Sequence, residues 1–313
     1  MAGRTRLLDE TTQQPLGPVD LALLAMATIW GANFSIVKIA METLSPMAFN
    51  AIRFTVATAI VLLATRIVGD NWHVDRHDAG KLVILGLVGN TVYQLFFISG
   101  IARTTAGNSA LMLGAVPVYV SLIGAATGLE RLRWRGWLGC LIAFGGIVLI
   151  VAGSGQAVEV KGESLLGTLL VLCSAITWAV YTVLSRPLLR RHSSLKVTGL
   201  SMLAGAPAIL LAAVPQCRVQ NWAAVPWQGW LGLAYSAVLA LGLAYVSWNA
   251  GVKIVGSART AIYSNLTPVI AMIIGWLWLG EHLGWLKIVG AAVIVGGVFL
   301  ARMGATRTTR NAS

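Results

Sequence analysis

Residues 117–146 read PVYVSLIGAATGLERLRWRGWLGCLIAFGG, and residues 268–297 read PVIAMIIGWLWLGEHLGWLKIVGAAVIVGG. The two stretches align without a gap at an offset of 151. Pro117 meets Pro268, Gly124 meets Gly275, Glu130 meets Glu281 and Leu132 meets Leu283. Trp134 meets Trp285, Gly139 meets Gly290, and Gly145-Gly146 meets Gly296-Gly297. Shared apolar bias gives a few such coincidences, but not a proline, a glutamate, a tryptophan and a double glycine in one register. The register runs back to Gly100 and Gly251. At an offset of 148, and on fewer residues, Trp30 meets Trp178. The chain is a tandem repeat.

Outward from these stretches the sequence is apolar nearly throughout. Of its 313 residues 57% are hydrophobic and 11% charged, against about 25% charged in a soluble domain. Such a chain cannot make a polar surface, so lipid must supply much of its solvent. A spanning helix needs about 20 mostly apolar residues. Ten such runs are present, at 19–40, 46–66, 79–99, 104–127, 134–152, 165–186, 194–215, 226–248, 257–280 and 284–302. Each span must satisfy its own backbone hydrogen bonds, which favours helices, and the ten-residue alternation of barrel strands is missing. The expected fold is an all-α integral membrane protein with ten transmembrane helices in two inverted five-helix repeats. Its parts are an N-terminal segment 1–18, repeat 1 at 19–152, a linker 153–164, repeat 2 at 165–302 and a polar, disordered tail 303–313.

The formal net charge is +12. Its placement argues against nucleic acid, because the basic residues sit in short gaps between apolar runs, as in Arg131, Arg133, Arg135 and Arg186, Arg190, Arg191. With the N-terminus in the cytoplasm, 17 of the 23 Lys and Arg fall on the cytoplasmic side and five outside, with Arg53 inside a span. That asymmetry predicts a multi-pass protein of the cytoplasmic membrane with both termini cytoplasmic and 153–164 external. Arg4, Arg6, Asp9 and Glu10 followed by a polar stretch do not read as a secretory signal. Five helices per half is an odd number, so the second half is upside down. The charges agree: Arg131, Arg133 and Arg135 face His282, Gly284 and Leu286 of the other half. Inverted repeats of this kind allow alternating access around a site near the midplane.

Trp30-Gly31-Ala32-Asn33-Phe34 with Lys38, and Arg53-Phe54 in the second run, resemble the opening of an EamA domain. Leu266-Thr267-Pro268-Val269, Gly280-Glu281, Gly290 and Gly296-Gly297 resemble its close, repeated in the first half at 117–146. Nearly the whole chain is thus similar to two tandem EamA units, the arrangement of the drug/metabolite transporter superfamily. The resemblance implies a ten-helix inverted-repeat carrier, often an exporter of amino acids or related metabolites. The sixth run departs from the opening motif, reading Trp178-Ala179-Val180-Tyr181-Thr182. The two halves are therefore expected to contribute different side chains to the site.

Trp30 and Asn33 share one helix face, as do Trp178 and Tyr181, and a polar amide in a membrane needs a partner or a wet cavity. Tyr93, Gln94 and Phe97 form a polar-aromatic strip, and the register places Gln94 opposite Tyr245 and Phe97 opposite Trp248. Asn249, Tyr263, Ser264 and Asn265 add polar atoms. The candidate substrate-binding set is Trp30, Asn33, Arg53, Tyr93, Gln94, Trp178, Tyr181, Tyr245, Trp248, Tyr263 and Asn265. Helix packing and interfacial anchoring compete as readings for the aromatics. Arg53 lies seven residues beyond Pro46, about 10 Å into the membrane at 1.5 Å per residue, and either snorkels or binds a substrate carboxylate. Lys38 is read as snorkelling to the outer interface. Pro117 and Pro268 break the fourth and ninth runs and serve as kinks or hinges. Glu130 and Glu281 are read as complementing the dipoles of the fifth and tenth helices that follow them, and the paired glycines as permitting close helix packing.

No Asp or Glu falls in the middle of a run, and His73, His77, His192 and His282 all lie in gaps. An acid, base or metal cluster is therefore missing, as is a GxxxxGK[ST] phosphate loop. Cys140, Cys173 and Cys217 stand alone and read as buried spacers. The expectation is a non-enzyme without cofactor or metal, a secondary carrier whose partners are a small-molecule substrate and the lipid bilayer, acting as monomer or homodimer. A multidrug exporter and a non-transporting scaffold or receptor remain the alternatives. The missing mid-membrane carboxylate favours neutral or zwitterionic substrates over lipophilic cations.

Overall fold

A computed structural model describes residues 17–127, 130–132, 134–152, 163–264, 266–303 and 305–307. Its helices are α1 (Pro18–Ala40), α2 (Pro46–Ile67), α3 (Arg76–Gly86), α4 (Tyr93–Arg103), α5 (Ala106–Leu113), α6 (Val116–Ala126) and α7 (Trp134–Ala152). The second half holds α8 (Glu163–Arg191), α9 (Ser194–Val219), α10 (Trp227–Tyr235), α11 (Ala244–Ile254), α12 (Ser257–Tyr263), α13 (Leu266–Leu279) and α14 (Trp285–Met303). Among the described residues, seven helical stretches are long and apolar enough to cross a membrane, and shorter apolar helices occur at Leu266–Leu279 and Trp285–Gly297. Large apolar side chains such as Leu63, Leu141, Leu211 and Phe299 point outward, more than half exposed, as a lipid-facing surface requires.

Helix boundaries follow from local chemistry. Pro18 and Pro46 open α1 and α2, where the missing N–H costs nothing. Thr105 and Ser193 accept the N–H groups of Asn108 (3.1 Å) and Lys196 (3.0 Å) at the starts of α5 and α9. Pro117 and Pro268 do not kink continuous helices. The fourth run is divided into α5 and α6 by a turn at 114–115, with Pro117 in the first turn of α6, and Pro268 lies in the first turn of α13.

Two features escaped the sequence reading. The third and eighth runs each contain a π-helical segment, Leu87–Val92 between α3 and α4 and Ser236–Leu243 between α10 and α11. The repeat offset of 151 lays the first onto 238–243, inside the second. Residues 305–307, expected within a disordered tail, instead form a short strand β2 that pairs antiparallel with β1 (Glu130–Leu132). This pairing uses backbone groups, and so left no side-chain pattern to read.

The packing is reciprocal. Helix α7 lies along α14, and α2 along α9. Helix α1 meets α11 and α13 as α8 meets α4 and α6. A Cβ on Gly146 would stand 2.7 Å from the Gly290 carbonyl, and one on Gly297 would stand 2.7 Å from the Gly139 carbonyl. Residue i touches j′ while i′ touches j, the signature of a two-fold contact.

Glu281 corrects another expectation. Its carboxylate accepts from Ala106 N (2.7 Å) and Gly107 N (3.0 Å), so it caps α5 of the other half rather than the helix that follows it. Gly280, at φ +64°, turns the chain there, and α14 starts four residues beyond Glu281. The side chain of Glu130 lies outside the described residues. At one end of the bundle, buried Asp78 accepts from Arg191 Nη1 (2.8 Å) and pairs with His192 Nε2 (2.8 Å), tying the first turn of α3 to the end of α8 and the residue that follows it. Asp75 caps α3 through the Asp78 N–H (2.8 Å) and pairs with Arg191 Nη2 (2.8 Å). That N–H first, and the guanidinium second, hold the Asp75 carboxyl below the usual carboxylate range.

Candidate functional site: an aromatic cavity between the halves

The polar and aromatic residues of α1, α2, α4, α8 and α11 converge where the two halves meet. Trp178 is the centre. Its ring lies 4.9 Å from Tyr245, 5.0 Å from Tyr93, 5.7 Å from Trp248 and 5.8 Å from Trp30. Trp30 closes the group, 5.6 Å from Trp248 and 6.1 Å from Tyr245. The tilted and edge-on arrangements are those that aromatic quadrupoles prefer.

The π-helical segment Ser236–Leu243 fixes the α1 side of the wall. Trp30 Nε1 donates to the Ala240 carbonyl (2.9 Å), and Ser236 Oγ donates to Asn33 Oδ1 (2.6 Å). A π-turn frees carbonyls and redirects side chains, which explains its recurrence at functional sites. In the first half, the π-segment Leu87–Val92 runs directly into Tyr93 and Gln94.

Arg53 is 1% exposed and fully inside the bundle. Its Nε and Nη2 donate to Asn50 Oδ1 (3.1 and 3.0 Å), and Nη2 donates to Gln94 Oε1 (2.8 Å). The guanidinium lies 5.1 Å from the Phe49 ring centre and 5.7 Å from that of Phe97, within cation–π range. Gln94 Nε2 in turn donates to Tyr245 Oη (2.9 Å). Gln94 and Tyr245 are 151 residues apart, so two repeat-equivalent residues touch each other. Equivalent residues can meet only beside the axis that relates the halves.

These side chains line a cavity of about 60 Å³, room for roughly four to six water molecules at 10–15 Å³ each. Trp30, Asn33, Arg53, Tyr93, Gln94, Trp178, Tyr245 and Trp248 line it. Tyr181 does not: it stacks behind Trp178 at 4.9 Å and accepts from Asn249 Nδ2 (2.8 Å). Tyr263 is also off the wall, donating its hydroxyl to Asp20 Oδ1 near the start of α1. Asn265 lies outside the described residues. Phe97 and Ser264, noted in the sequence for their polar-aromatic surroundings, also line it, and Phe34, Ala110, Leu113, Gly114, Val116, Ala240, Leu241 and Thr267 do so without having been put forward as site residues. The one signal that pointed toward Asn50 is its spacing, three residues before Arg53 on the same face.

Lys38 does not snorkel freely. Its Nζ donates to the Ile101 carbonyl (3.1 Å) near the end of α4. It borders an open hollow of about 430 Å³ shared with Glu42, Thr104, Thr105 and Glu281.

An apolar helical bundle built in this way is an integral membrane protein. Its sequence matches the EamA-like transporter family twice, over residues 17–152 and 165–303. The chain belongs to that family, within the drug/metabolite transporter superfamily. It is 26% identical over 283 residues to the uncharacterized transporter YyaM of Bacillus subtilis, covering 90% of this chain and 92% of YyaM. It is 26% identical over 292 residues to a probable terminal-alkyne amino-acid exporter of Streptantibioticus cattleyicolor, covering 93% and 96% of the two chains. A crystal structure of a 20% identical protein superposes with a TM-score of 0.69 over 91% of this chain and 96% of the other, a likeness of fold.

Proposed function

We propose that this transporter is a secondary carrier that exports amino acids or related zwitterions across the cytoplasmic membrane by alternating access. It does so as ten spans in two inverted five-helix repeats, with both termini cytoplasmic. The observation that carries the reading is the cavity at the repeat axis, where Gln94 and Tyr245 bond across the halves. A midplane site at the repeat interface is what rocking of two inverted halves requires. Arg53, held by Asn50 and Gln94, is the group for a substrate carboxylate, and Trp30, Trp178, Tyr245 and Trp248 form walls for its apolar part. At about 60 Å³ the cavity has room for waters, and loading a larger substrate requires the walls to part. The relative described as a probable terminal-alkyne amino-acid exporter supports the substrate class. The test is efflux from cells, or accumulation in vesicles, with and without the protein, across amino acids, nucleosides and cationic dyes. Movement of amino acids is expected. A response to cationic dyes alone would replace this reading with multidrug export.

A further inference from the structure

The cavity wall offers hydrogen-bond donors, while its amide oxygens are already engaged. Asn33 Oδ1 is taken by Ser236, Gln94 Oε1 by Arg53 and Tyr245 Oη by Gln94. Two donors remain. Arg53 Nη1 has no hydrogen-bond partner among the described residues, while Nε and Nη2 are engaged. Trp248 is fully buried on the same wall, and its Nε1 is without a partner. A buried donor left unsatisfied is costly, and a ligand acceptor relieves it. Among the described lining residues there is no Asp or Glu, so Arg53 gives the cavity an unbalanced positive charge. The rings of Trp30, Trp178 and Tyr245 pack edge-on and tilted against one another, at 4.9–6.1 Å.

We infer that the site selects for a carboxylate and makes no demand for an ammonium group, so that organic monocarboxylates with an apolar body are ligands in their own right. Arg53 Nη1 and Trp248 Nε1 are the two donors to the carboxylate. The inference rests on the carrier reading and narrows it. Amino acids enter by their acid end, and deaminated analogues enter equally well.

Binding to the purified, detergent-solubilised protein is measured by calorimetry near neutral pH with sets of four probes that share one apolar side chain. Each set holds the amino acid, the carboxylic acid lacking the amino group, the amine lacking the carboxylate, and the amino-acid amide. The two carboxylates are expected to bind within about threefold of each other, and the amine and amide about tenfold or more weaker, the scale of a charge-assisted hydrogen bond. Trp248→Phe keeps the ring and removes the donor, and should weaken acid binding by about tenfold or more while the protein still purifies as wild type. Arg53→Lys, which keeps the charge, should retain the preference for acids over amines. Amines or amides binding as tightly as acids would overturn the inference and leave the carrier reading standing, as would unchanged acid binding in Trp248→Phe. Silence from every probe in every set, together with no amino-acid efflux, would remove both.

Discussion

Tyr245 holds Arg53 at one remove. Its hydroxyl satisfies Gln94, which is 1% exposed, and Gln94 satisfies the guanidinium. Tyr245→Phe strands the Gln94 amide inside the bundle, and should lower stability by about 1–3 kcal/mol, read by thermal unfolding in detergent. An unchanged transition would mean that the amide finds another partner. At the surface, Asp75 sets a pH dependence. Its carboxyl is held below its ordinary value, so its contribution is present above the unfolded carboxylate pKa of about 3.9 and is lost as pH falls through the lower folded value. Asp75→Asn should therefore melt below the wild type at neutral pH, with the gap closing only in strongly acidic buffer; a gap that widens on acidification would contradict this. Single residues were partly legible in the sequence. Trp30, Asn33, Trp178, Gln94 and Tyr245 announced themselves as polar or aromatic groups inside apolar runs. Tyr181 and Tyr263 looked the same, but one lies behind Trp178 and the other is spent on Asp20. Helical spacing reports which face a residue is on, not how deep it lies behind its neighbours.

Among the elements, α7 and α14 make the sharpest prediction. A Cβ on Gly146 would meet the Gly290 carbonyl at 2.7 Å, and one on Gly297 would meet Ala143 N at 2.4 Å, so the backbones must part. Gly146→Ala and Gly297→Ala should each cost about 1–3 kcal/mol. Their neighbours Gly145 and Gly296 have nothing within 4 Å, and Gly145→Ala and Gly296→Ala should be neutral or slightly stabilising, by up to about 1 kcal/mol. Thermal unfolding of the four variants checks the contrast, and equal losses at all four sites would refute it. The double glycines were visible in the sequence, but not which member of each pair faces the partner helix. The π-segments were invisible, because LVGNTV and SAVLALGL carry the same apolar bias as an α-helix. The turn at 114–115 was signalled by Pro117, read with Pro268 as a kink or hinge within a run; each proline instead sits in the first turn of a helix, α6 and α13.

At the scale of the whole molecule, the excess of Lys and Arg on one side predicts orientation. In a background lacking Cys140, Cys173 and Cys217, Asn221→Cys should react with an impermeant reagent in intact cells, and His77→Cys should react only after the membrane is opened. The opposite pattern would invert the topology. The repeat and the charge asymmetry were legible because both are written in long stretches of sequence. The shape of the cavity was not, since it depends on how side chains from several helices settle against one another. The reciprocal seam of α7 on α14 has one more consequence. Each half carries the complement of its own rotated copy, as a subunit of a symmetric pair does. Recognition between the halves therefore resides in the helices, and the segment joining Ala152 to Glu163 supplies proximity. A chain divided there remains a matched pair of polypeptides, each with the surface needed to find the other in the bilayer.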